Sequence, residues 1–481
     1  MKKTISLLLV LCSVLLCVAC NKKENTVTPS ESRSEEVSKT GDPYLDSLPV
    51  RDYGQKKFSI LCTTQTAGFY DVTEAGGDTV SASVFARNSA VNERYSVDIR
   101  HKQLDGNSSG QKAFTAEIQQ SVQLDSGYDL IVGQNYYCLP LATEGSLRDL
   151  ASSAFIHWDE AWYSQKINDN AAINGKIYGA SGTYIMSQIS YALATLYNKE
   201  LWTAEQHDED LYQLVRDKQW TFEKLNEFVA GHFTDANNND VVDADDRFGY
   251  VYNTHGVAAS MAASNLPITS KDADGKLTIH NYYNTHLTDV FDSYYAFYND
   301  SLDAYKTKED FGPAIMLGKG NTLFGCAQLG ALNDCAELKN SEYHIGVLPM
   351  PMYDETQSDY ITYTMRWELF YIPVNADFER AAIVLEYLNY TSEQIVIPAY
   401  WKKALNDRAA DAPQDSEMMY VVKDALWYDF VTFHHYKVPM RDAAASLINN
   451  RNKRIAQWWG SNEGPMQKLL DDLLADYGVI Q

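Results

Sequence analysis

The sequence predicts an α/β protein built from two lobes, and three observations carry that prediction. The chain has 481 residues, which is longer than one typical domain. Short apolar runs alternate along it with segments whose apolar residues recur at helical spacing, the pattern of an α/β sheet with right-handed crossovers. After residue 20, no stretch approaches the ~20 apolar residues that a membrane-spanning helix needs.

Each predicted element follows from a local pattern. The segment 57–64 is an apolar run bounded by polar residues, 97–101 alternates between apolar and polar residues, and 128–133 is a short apolar run that ends in glycine. Thr221 precedes a helical pattern and is predicted to cap it. The predicted strands are 57–64, 97–101, 128–133, 192–199 and the apolar run 371–374; the predicted helices are 80–95, 111–124, 222–232, 379–390 and 416–428.

Charge and motifs exclude several classes of protein. The chain has 40 Lys and Arg against 64 Asp and Glu, a formal charge of −24, whereas nucleic-acid binding requires clustered cations. It contains no Gly-x-Ser-x-Gly elbow, no His-Glu-x-x-His and no Gly-x-x-x-x-Gly-Lys phosphate loop. The adjacent His434 and His435 would point apart on a helix, which argues against a metal site. We therefore expect no catalytic residue, no organic cofactor and no nucleic-acid partner.

The N-terminus predicts secretion and lipid attachment. Two lysines precede an apolar stretch, and a small residue, Ala19, precedes Cys20. This ending resembles a bacterial lipobox, although Cys17 stands where leucine is usual. Residues 1–19 are therefore predicted to be a lipoprotein signal peptide and Cys20 to be lipidated, with two or three acyl chains giving durable anchoring. Residues 20–53 are rich in Ser, Thr, Glu and Lys and are predicted to be a flexible tether.

The remaining cysteines do not predict a disulfide framework. Only four follow the lipobox in roughly 460 residues, and no pair has the spacing of zinc ligands. We expect them to be small buried hydrophobic residues, although the sequence leaves their disulfide state open. They are Cys62, Cys138, Cys326 and Cys335.

Several segments occur in an order that is similar to one known family. Residues 128–133 resemble a strand that ends at a ligand cleft, and 175–201 resemble the crossing from a first lobe to a second. Residues 220–225 resemble the family's Thr-Trp-(Glu/Asp)-Glu-Leu helix start, and 346–351 resemble the return to the first lobe. Together with the lipobox and tether, this order resembles the extracellular solute-binding proteins of ABC sugar importers, family 1.

The resemblance implies a fold and a division of the chain. The fold is periplasmic-binding-protein-like type II, in which two α/β lobes joined by hinge strands close on a ligand between them. Carried over by segment order, lobe 1 comprises residues 54–185 and 301–365, and lobe 2 comprises residues 186–300 and 366–481.

The resemblance also implies a function. The chain would be a monomer, anchored by lipid at the extracellular or periplasmic face of the cell membrane. There it would capture a carbohydrate and deliver it to ABC permease subunits. We expect this carbohydrate to be an oligosaccharide. The alternative is a surface lipoprotein that binds or hydrolyses glycans without a transporter, because carboxylates are abundant enough for a glycosidase pair.

A sugar site needs aromatic faces for the rings together with amide, carboxylate or guanidinium groups for the hydroxyls. The candidates are residues of these types that follow predicted strands or lie near the predicted crossings. They are Gln65, Thr66, Gln134, Asn135, Tyr136, Tyr184, Tyr252, Gln328, Arg366 and Trp367.

An acidic loop at 235–246 predicts a second site. Its oxygen-bearing residues follow the spacing of an EF-hand loop, which wraps a hard cation, and alginate-binding members of the similar family have a calcium loop of this kind. Asp240 replaces the usual glycine at the sixth position, although Asp tolerates left-handed geometry, and the twelfth position is Asp rather than Glu. The predicted ligands of a structural Ca²⁺ are Asp235, Asn237, Asn239, the Val241 carbonyl, Asp243 and Asp246.

Overall fold

The computed structural model describes residues 42–124, 127–207, 209–405 and 412–479, and the chain divides into two units, residues 1–49 and 50–481. In the first unit the described residues contain one helix, α1 (Pro43–Ser47), which begins where the Asp42 carboxylate accepts a hydrogen bond from the Tyr44 backbone N–H at 2.8 Å. The predicted signal peptide, Cys20 and most of the predicted tether lie outside the described residues.

The larger unit contains two main sheets and one small hairpin. Their strands are β1 (Lys56–Thr63), β2 (Val97–Leu104), β3 (Leu130–Gln134), β4 (Leu193–Asn198), β5 (Phe248–Tyr252), β6 (Ser270–Lys271), β7 (Leu277–Thr278), β8 (Ala304–Lys306), β9 (Thr322–Gln328), β10 (Ile345–Leu348) and β11 (Glu368–Tyr371).

Helices cover the sheets and connect their strands. The first half of the unit contains α2 (Thr79–Tyr95), α3 (Gln111–Gln123), α4 (Asn135–Cys138), α5 (Pro140–Thr143), α6 (Gln165–Ala171), α7 (Met186–Ser190), α8 (Lys199–Ala204), α9 (Leu211–Arg216), α10 (Phe222–Val229) and α11 (Thr254–Ala263). The second half contains α12 (Thr285–Asn299), α13 (Gly312–Lys319), α14 (Ala331–Asp334), α15 (Ala336–Lys339), α16 (Phe378–Thr391), α17 (Ile397–Leu405), α18 (Ala412–Asp424), α19 (Phe430–Phe433), α20 (Ala443–Asn449) and α21 (Ile455–Asp476). Two 3₁₀ turns, Thr64–Phe69 and Leu150–Ser152, and one π-helical turn, Ser392–Val396, complete the set within the described residues.

The first main sheet has the order β11-β3-β1-β2. β1 pairs in parallel with both β2 and β3, whereas β11 runs antiparallel to β3. β3 is buried along its whole length, which explains why its sequence is a continuous apolar run, while the edge strand β2 is largely polar and partly exposed.

The second main sheet has the order β10-β4-β9-β5-β8. β5 pairs in parallel with β8 and β9, and β4 runs antiparallel to β9 and β10. The elements predicted in this part of the chain are present, including the Thr221 cap, whose hydroxyl accepts a hydrogen bond from the Lys224 backbone N–H.

The strand pairing corrects the predicted division of the chain. Residues 301–365 were assigned to lobe 1, but β9 and β10 in that segment pair with β4 of the second sheet. Residues 366–481 were assigned to lobe 2, but β11 pairs with β3 of the first sheet. After β10 the chain therefore returns to the first sheet. There β11 pairs with β3 and covers an edge of β3 that would otherwise be unpaired.

The end of the predicted tether is also corrected. Residues 50–53 belong to the larger unit. The Tyr53 backbone N–H donates to the Tyr95 carbonyl at 2.9 Å, and Arg51 lies 3.0 Å from Glu379. These contacts hold the segment in an ordered position beside α2 and α16.

The core supports two further expectations. Cys62, Cys138, Cys326 and Cys335 are free and buried, as the cysteine count predicted. Burial raises the pKa of the Cys326 thiol to about 12, which leaves it uncharged and unreactive. Across the residues that the structure describes, every helix is too short or too polar to cross a membrane.

Candidate functional site

Polar residues from three parts of the chain meet at one edge of the first sheet. The parallel strands β1 and β3 end there at Thr63 and Gln134, and the antiparallel β11 begins there at Glu368, which pairs with Gln134. In open α/β sheets ligands bind beyond this edge. We call the side chains gathered here the strand-end cluster: Thr63, Thr66, Gln134, Arg366, Trp367 and Glu368.

Glu368 is the buried centre of the strand-end cluster, and sequence reasoning missed it. Its side chain is fully buried, and its carboxylate accepts hydrogen bonds from the Thr63 hydroxyl at 2.6 Å and the Thr66 hydroxyl at 2.9 Å. Its backbone carbonyl accepts a bond from the Gln188 amide at 2.6 Å. A charged residue at the start of the apolar run Glu368–Tyr371 was the available signal, since a buried carboxylate requires partners.

Arg366 presents unused hydrogen-bond donors beside this carboxylate. Its Nε lies 3.4 Å from Glu368 Oε1, and its guanidinium lies 5.6 Å from the centre of the Tyr191 ring. The side chain is only 12% exposed, yet Nε and Nη2 are buried without a hydrogen-bond partner in the structure. Because leaving a buried donor unpaired is costly, these N–H groups are suited to a ligand oxygen.

The end of β3 is tied to two other segments. The Gln134 side-chain oxygen accepts a bond from the Trp367 backbone N–H at 3.1 Å, and the Asn135 backbone N–H donates to the Trp367 carbonyl at 2.9 Å. The Asn135 amide also donates to the Phe433 carbonyl at 2.9 Å, while its Oδ1 has no hydrogen-bond partner. Gln134 and Asn135 therefore position the chain around Trp367, and Asn135 keeps one free acceptor.

Tyr136 lies half-buried next to a neutral histidine. Its ring is edge-on to His435 with centroids 5.8 Å apart. Burial, with the charge of Arg441 as a second cause, lowers the pKa of His435 to about 4. The Nδ1 of this imidazole is buried without a hydrogen-bond partner.

Trp367 forms one wall of a small aromatic recess, which is about 40 Å³ in volume. Tyr428 packs against its ring at 4.4 Å between centroids, and the Arg441 guanidinium lies 4.8 Å from its centre. The recess is much smaller than the roughly 300–1,000 Å³ of typical ligand pockets, so it supplies an aromatic wall rather than space for a whole sugar ring. The residues that line this aromatic recess include Tyr282, Tyr363, Trp367, Trp427, Asp429 and Arg441.

The remaining predicted ligand residues do not join the strand-end cluster. Gln65 is exposed and is engaged with Asp105 and the Gly106 backbone N–H. Tyr184 lies in the core, fully buried, with its ring 4.7 Å from the Arg87 guanidinium. The packing of the turn after β1 determines the position of Gln65, and packing against Arg87 of α2 determines that of Tyr184. The position of a residue near a strand end does not reveal such contacts.

The two candidates from the second sheet differ from each other. Tyr252 is buried in the core and donates its hydroxyl to the Tyr298 carbonyl at 3.0 Å. Gln328 ends β9 opposite Leu193, and its Oε1 is buried without a hydrogen-bond partner. Gln328 therefore remains a candidate, and Tyr252 is a packing residue.

One backbone feature of the acidic loop agrees with its sequence pattern. Asp240 has a φ of 58°, so it occupies the left-handed region where an EF-hand loop has glycine. The fully buried Asp246 accepts hydrogen bonds from the Ala236 and Asp243 backbone N–H groups at 3.1 and 3.0 Å. The Asn239 amide donates to Asp243 at 2.9 Å. Within the described part of the chain, no three His, Cys, Asp or Glu side chains are grouped as a metal site requires.

A larger cavity of about 380 Å³ lies elsewhere in the unit, between Trp162, Gln188 and α18. Three of its charged groups pair with one another, since Lys423 lies 3.4 Å from Glu393 and 3.0 Å from Asp424. Burial raises the pKa of Glu393. We place the candidate site at the strand-end cluster despite its smaller recess, because unpartnered donors and acceptors occur there.

Comparison with solved structures decides the fold class. The chain is 13% identical to the GacH receptor of Streptomyces glaucescens, solved unliganded and with acarbose, with a TM-score of 0.54 over 86% of this chain and 99% of that one. The chain has the fold of the two-lobed periplasmic binding proteins. No protein-family model and no curated protein sequence matches it.

Two further structures share this fold. A cyclo/maltodextrin-binding protein complexed with maltotetraose has a TM-score of 0.53 at 12% identity, covering 88% of this chain and 97% of that one. UgpB from Mycobacterium tuberculosis, complexed with glycerophosphocholine, has a TM-score of 0.53 at 13% identity, covering 88% and 99%. The predicted two-lobed α/β fold is therefore confirmed, while the ligands of these proteins differ.

Proposed function

We propose that the chain is an extracellular solute-binding protein of the sugar-importer type, which captures an oligosaccharide and delivers it to an ABC permease. The observation that carries the proposal is the pair of unpartnered Arg366 N–H groups at the strand-end cluster, at the edge beyond which open α/β sheets bind ligands. The next residue along the chain, Trp367, lines the aromatic recess. Two neighbours in fold are described as bound to sugars or sugar analogues, maltotetraose and acarbose.

The proposed activity is binding without chemical change to the sugar. The nearest carboxylate, Glu368, is fully buried and engaged by two threonine hydroxyls and Arg366, so it is poorly placed to protonate a glycosidic oxygen. Of the structural neighbours described above, one is named a binding protein and another a receptor. We keep a glycan hydrolase as the alternative that the first experiment decides.

The test is a binding screen on the purified chain lacking residues 1–20. Melting temperature is measured with neutral oligosaccharides, with acidic oligosaccharides, with peptides and with glycerophosphodiesters, and hits are confirmed by calorimetry. We expect stabilisation by at least one oligosaccharide and recovery of that sugar intact after overnight incubation. Release of new reducing ends would favour the hydrolase, and stabilisation by peptides or phosphodiesters alone would reject a sugar ligand.

We also propose that Cys20 carries the lipid anchor, so that the folded unit is held at the outer face of the membrane. The support is the sequence of residues 1–20. Expression of the full chain and of a Cys20→Ala variant in a bacterial host tests this. The intact chain should fractionate with membranes and incorporate labelled palmitate, and the variant should do neither.

We propose, further, that the loop 235–246 binds a structural Ca²⁺. The donor set is all oxygen, which suits this ion, and Asp240 supports the tight turn that the loop needs. Without a cation, the carboxylates of Asp235, Asp240, Asp243 and Asp245 repel one another in a short loop that is largely exposed. Removing Ca²⁺ with a chelator should lower the melting temperature by several degrees, and an Asp243→Asn variant should no longer respond. An identical melting temperature with and without chelator would reject the site.

A further inference from the structure

We infer that Glu368 is a specificity-determining residue: it fixes and neutralises Arg366 so that the site accepts an uncharged, hydroxylated sugar and rejects uronates. The inference rests on the proposed function and narrows its substrate class. It follows from the position of Glu368, from the charges around the strand-end cluster and from the kinds of hydrogen-bonding atoms left free there.

The Glu368 carboxylate is held in one position. It has no exposure to solvent, and the Thr63 and Thr66 hydroxyls donate to it at 2.6 and 2.9 Å. The guanidinium of Arg366 approaches one of its oxygens at 3.4 Å, at an angle that leaves Nε without a true hydrogen bond. The carboxylate therefore compensates the charge of Arg366 without using its donors.

The other charges near the site do not leave a free cation for an anionic ligand. Arg441 at the rim of the aromatic recess lies 2.7 Å from Asp442. Hydrogen bonds from the Asn107 backbone N–H, Ser109 and Gln65 lower the pKa of the Asp105 carboxyl, and the positive charge of Arg366 lowers it further by a smaller amount. Asp429, which lines the aromatic recess, adds a further acidic group, although burial raises its pKa.

The two histidines next to Asn135 and Tyr136 add no positive charge at neutral pH. Burial lowers the pKa of His434 to about 3 and that of His435 to about 4. Acidic groups near the strand-end cluster therefore outnumber cationic ones, and a ligand carboxylate would be repelled.

The free hydrogen-bonding atoms fit hydroxyl groups. Arg366 contributes two unpartnered donors, Nε and Nη2, while Asn135 Oδ1, at the end of β3, is an unpartnered acceptor. A hydroxyl both donates and accepts, so a run of ring hydroxyls can satisfy both kinds of group. A carboxylate only accepts, so it would leave the Asn135 amide oxygen unpaired.

The experiment compares wild type with Glu368→Gln on matched sugar probes. The pairs are maltotetraose, cellotetraose, mannotetraose and galactotetraose, each with its counterpart oxidised to the uronate at C6. Calorimetry measures both affinities. Wild type should bind a neutral member and bind its uronate more weakly. In Glu368→Gln the uronate-to-neutral affinity ratio should rise at least about tenfold, because the charge of Arg366 is no longer compensated.

Glu386→Gln is the matched control. Glu386 is also a fully buried glutamate that accepts hydrogen bonds, but it lies outside the strand-end cluster. Its substitution should leave the affinity ratio unchanged.

If Glu368→Gln fails to fold, a double variant, Thr63→Val with Thr66→Val, replaces it in the experiment. This double variant removes the two hydroxyls that hold the Glu368 carboxylate, so the carboxylate is free to move, and the affinity ratio should shift in the same direction.

Each outcome separates the inference from the proposed function. A wild type that prefers a uronate, or a ratio that neither Glu368→Gln nor the threonine variant changes, overturns the inference and leaves an oligosaccharide-binding protein. A wild type that binds none of these probes nor any glycan in the wider screen overturns the proposed function, and the inference with it.

Discussion

Two buried glutamates of this protein, Glu368 and Glu386, look alike by burial and differ in what surrounds them. Both side chains are fully buried. Glu386 accepts hydrogen bonds from Trp162 Nε1 at 3.1 Å, from the Tyr163 hydroxyl at 2.5 Å and from the His157 backbone N–H at 3.2 Å. Glu368 accepts from two threonine hydroxyls and faces an arginine whose Nε and Nη2 remain unpaired.

The difference shows which buried carboxylates indicate a binding site. At Glu386 the neighbouring donors bond to the carboxylate itself, so the cluster joins α16 to the segment 157–163 and serves packing. At Glu368 the nearby donors stay available, and they lie at the edge of the sheet where ligands bind in this fold. Both glutamates are buried charged residues. Only Glu368 has unpaired hydrogen-bond donors beside it, those of Arg366, and this feature distinguishes the candidate site.

The largest effect that we expect is a loss of sugar binding when Arg366, the arginine next to Glu368, is replaced. Arg366→Met removes the unpaired donors and retains a similar apolar stem. Affinity for the sugar identified in the screen should fall by on the order of 100-fold, because a hydrogen bond to a charged group contributes about 1.5–3 kcal/mol. Calorimetry measures the affinity, and the melting temperature shows whether the variant stays folded. Unchanged affinity in a folded variant would remove Arg366 from the site.

The reverse pattern is expected at the other glutamate. Glu386→Gln places an amide nitrogen against donors that need an acceptor, so the free energy of unfolding should fall by about 2 kcal/mol. Sugar affinity should stay within about twofold of wild type at a temperature where the variant is folded. Urea denaturation gives the stability. If Glu386→Gln keeps its stability but no longer binds the sugar, then Glu386 serves binding rather than packing, and our interpretation of this residue is wrong.

A smaller effect concerns the neutral histidine that follows α19. Burial lowers the pKa of His434 from its ordinary 6.5 to about 3. Above the ordinary value both the folded and the unfolded chain hold it neutral, so it does not affect stability there. As pH falls below 6.5 only the unfolded chain takes up the proton, and the free energy of unfolding should decrease by about 1.4 kcal/mol per pH unit from this group.

The measurement compares urea denaturation of wild type and His434→Gln at neutral pH and at pH about 5. The variant should lose less stability on acidification. His280→Gln, at a histidine that is 57% exposed, is the control and should follow wild type. Equal acid sensitivity of wild type and His434→Gln would show that His434 titrates normally.

The smallest effect tests a residue that the sequence placed in the ligand site. Tyr184→Phe removes a buried hydroxyl that has no hydrogen-bond partner in the structure. Stability should change by less than about 0.5 kcal/mol, and sugar affinity should be unchanged, because the ring still packs under Arg87. A clear loss of affinity in calorimetry would return Tyr184 to the site.

Local patterns predicted several of the strands and helices, because burial of one or both faces of an element produces a recognisable spacing of apolar residues. The runs that became β1, β3 and β4 and the helical spacing of α2 and α16 are examples. The sequence did not show which of the two sheets each strand joins. β9, β10 and β11 are short apolar runs whose partners lie far away in sequence, and nothing local tells which sheet they join.

The candidate site was predictable in part for the same reason. Thr66, Gln134 and Arg366 lie at strand ends, and strand ends can be read from the sequence. Tyr184 and Tyr252 lie close to such positions and instead pack in the core, since aromatic residues serve both purposes. Glu368 was missed because the one signal for it, a charged residue at the start of an apolar run, does not reveal from the sequence alone that the side chain is buried.

The late position of β11 in the chain constrains how the protein is made. Residues 368–371 supply the outer strand of a sheet whose other three strands are complete by residue 134. During synthesis β3 therefore presents an open edge while more than 200 further residues emerge, and such edges favour aggregation. Arg366, Trp367 and Glu368 arrive with the same segment. The residues that cover the open edge of β3 and those that complete the strand-end cluster are therefore synthesised together, late in the chain.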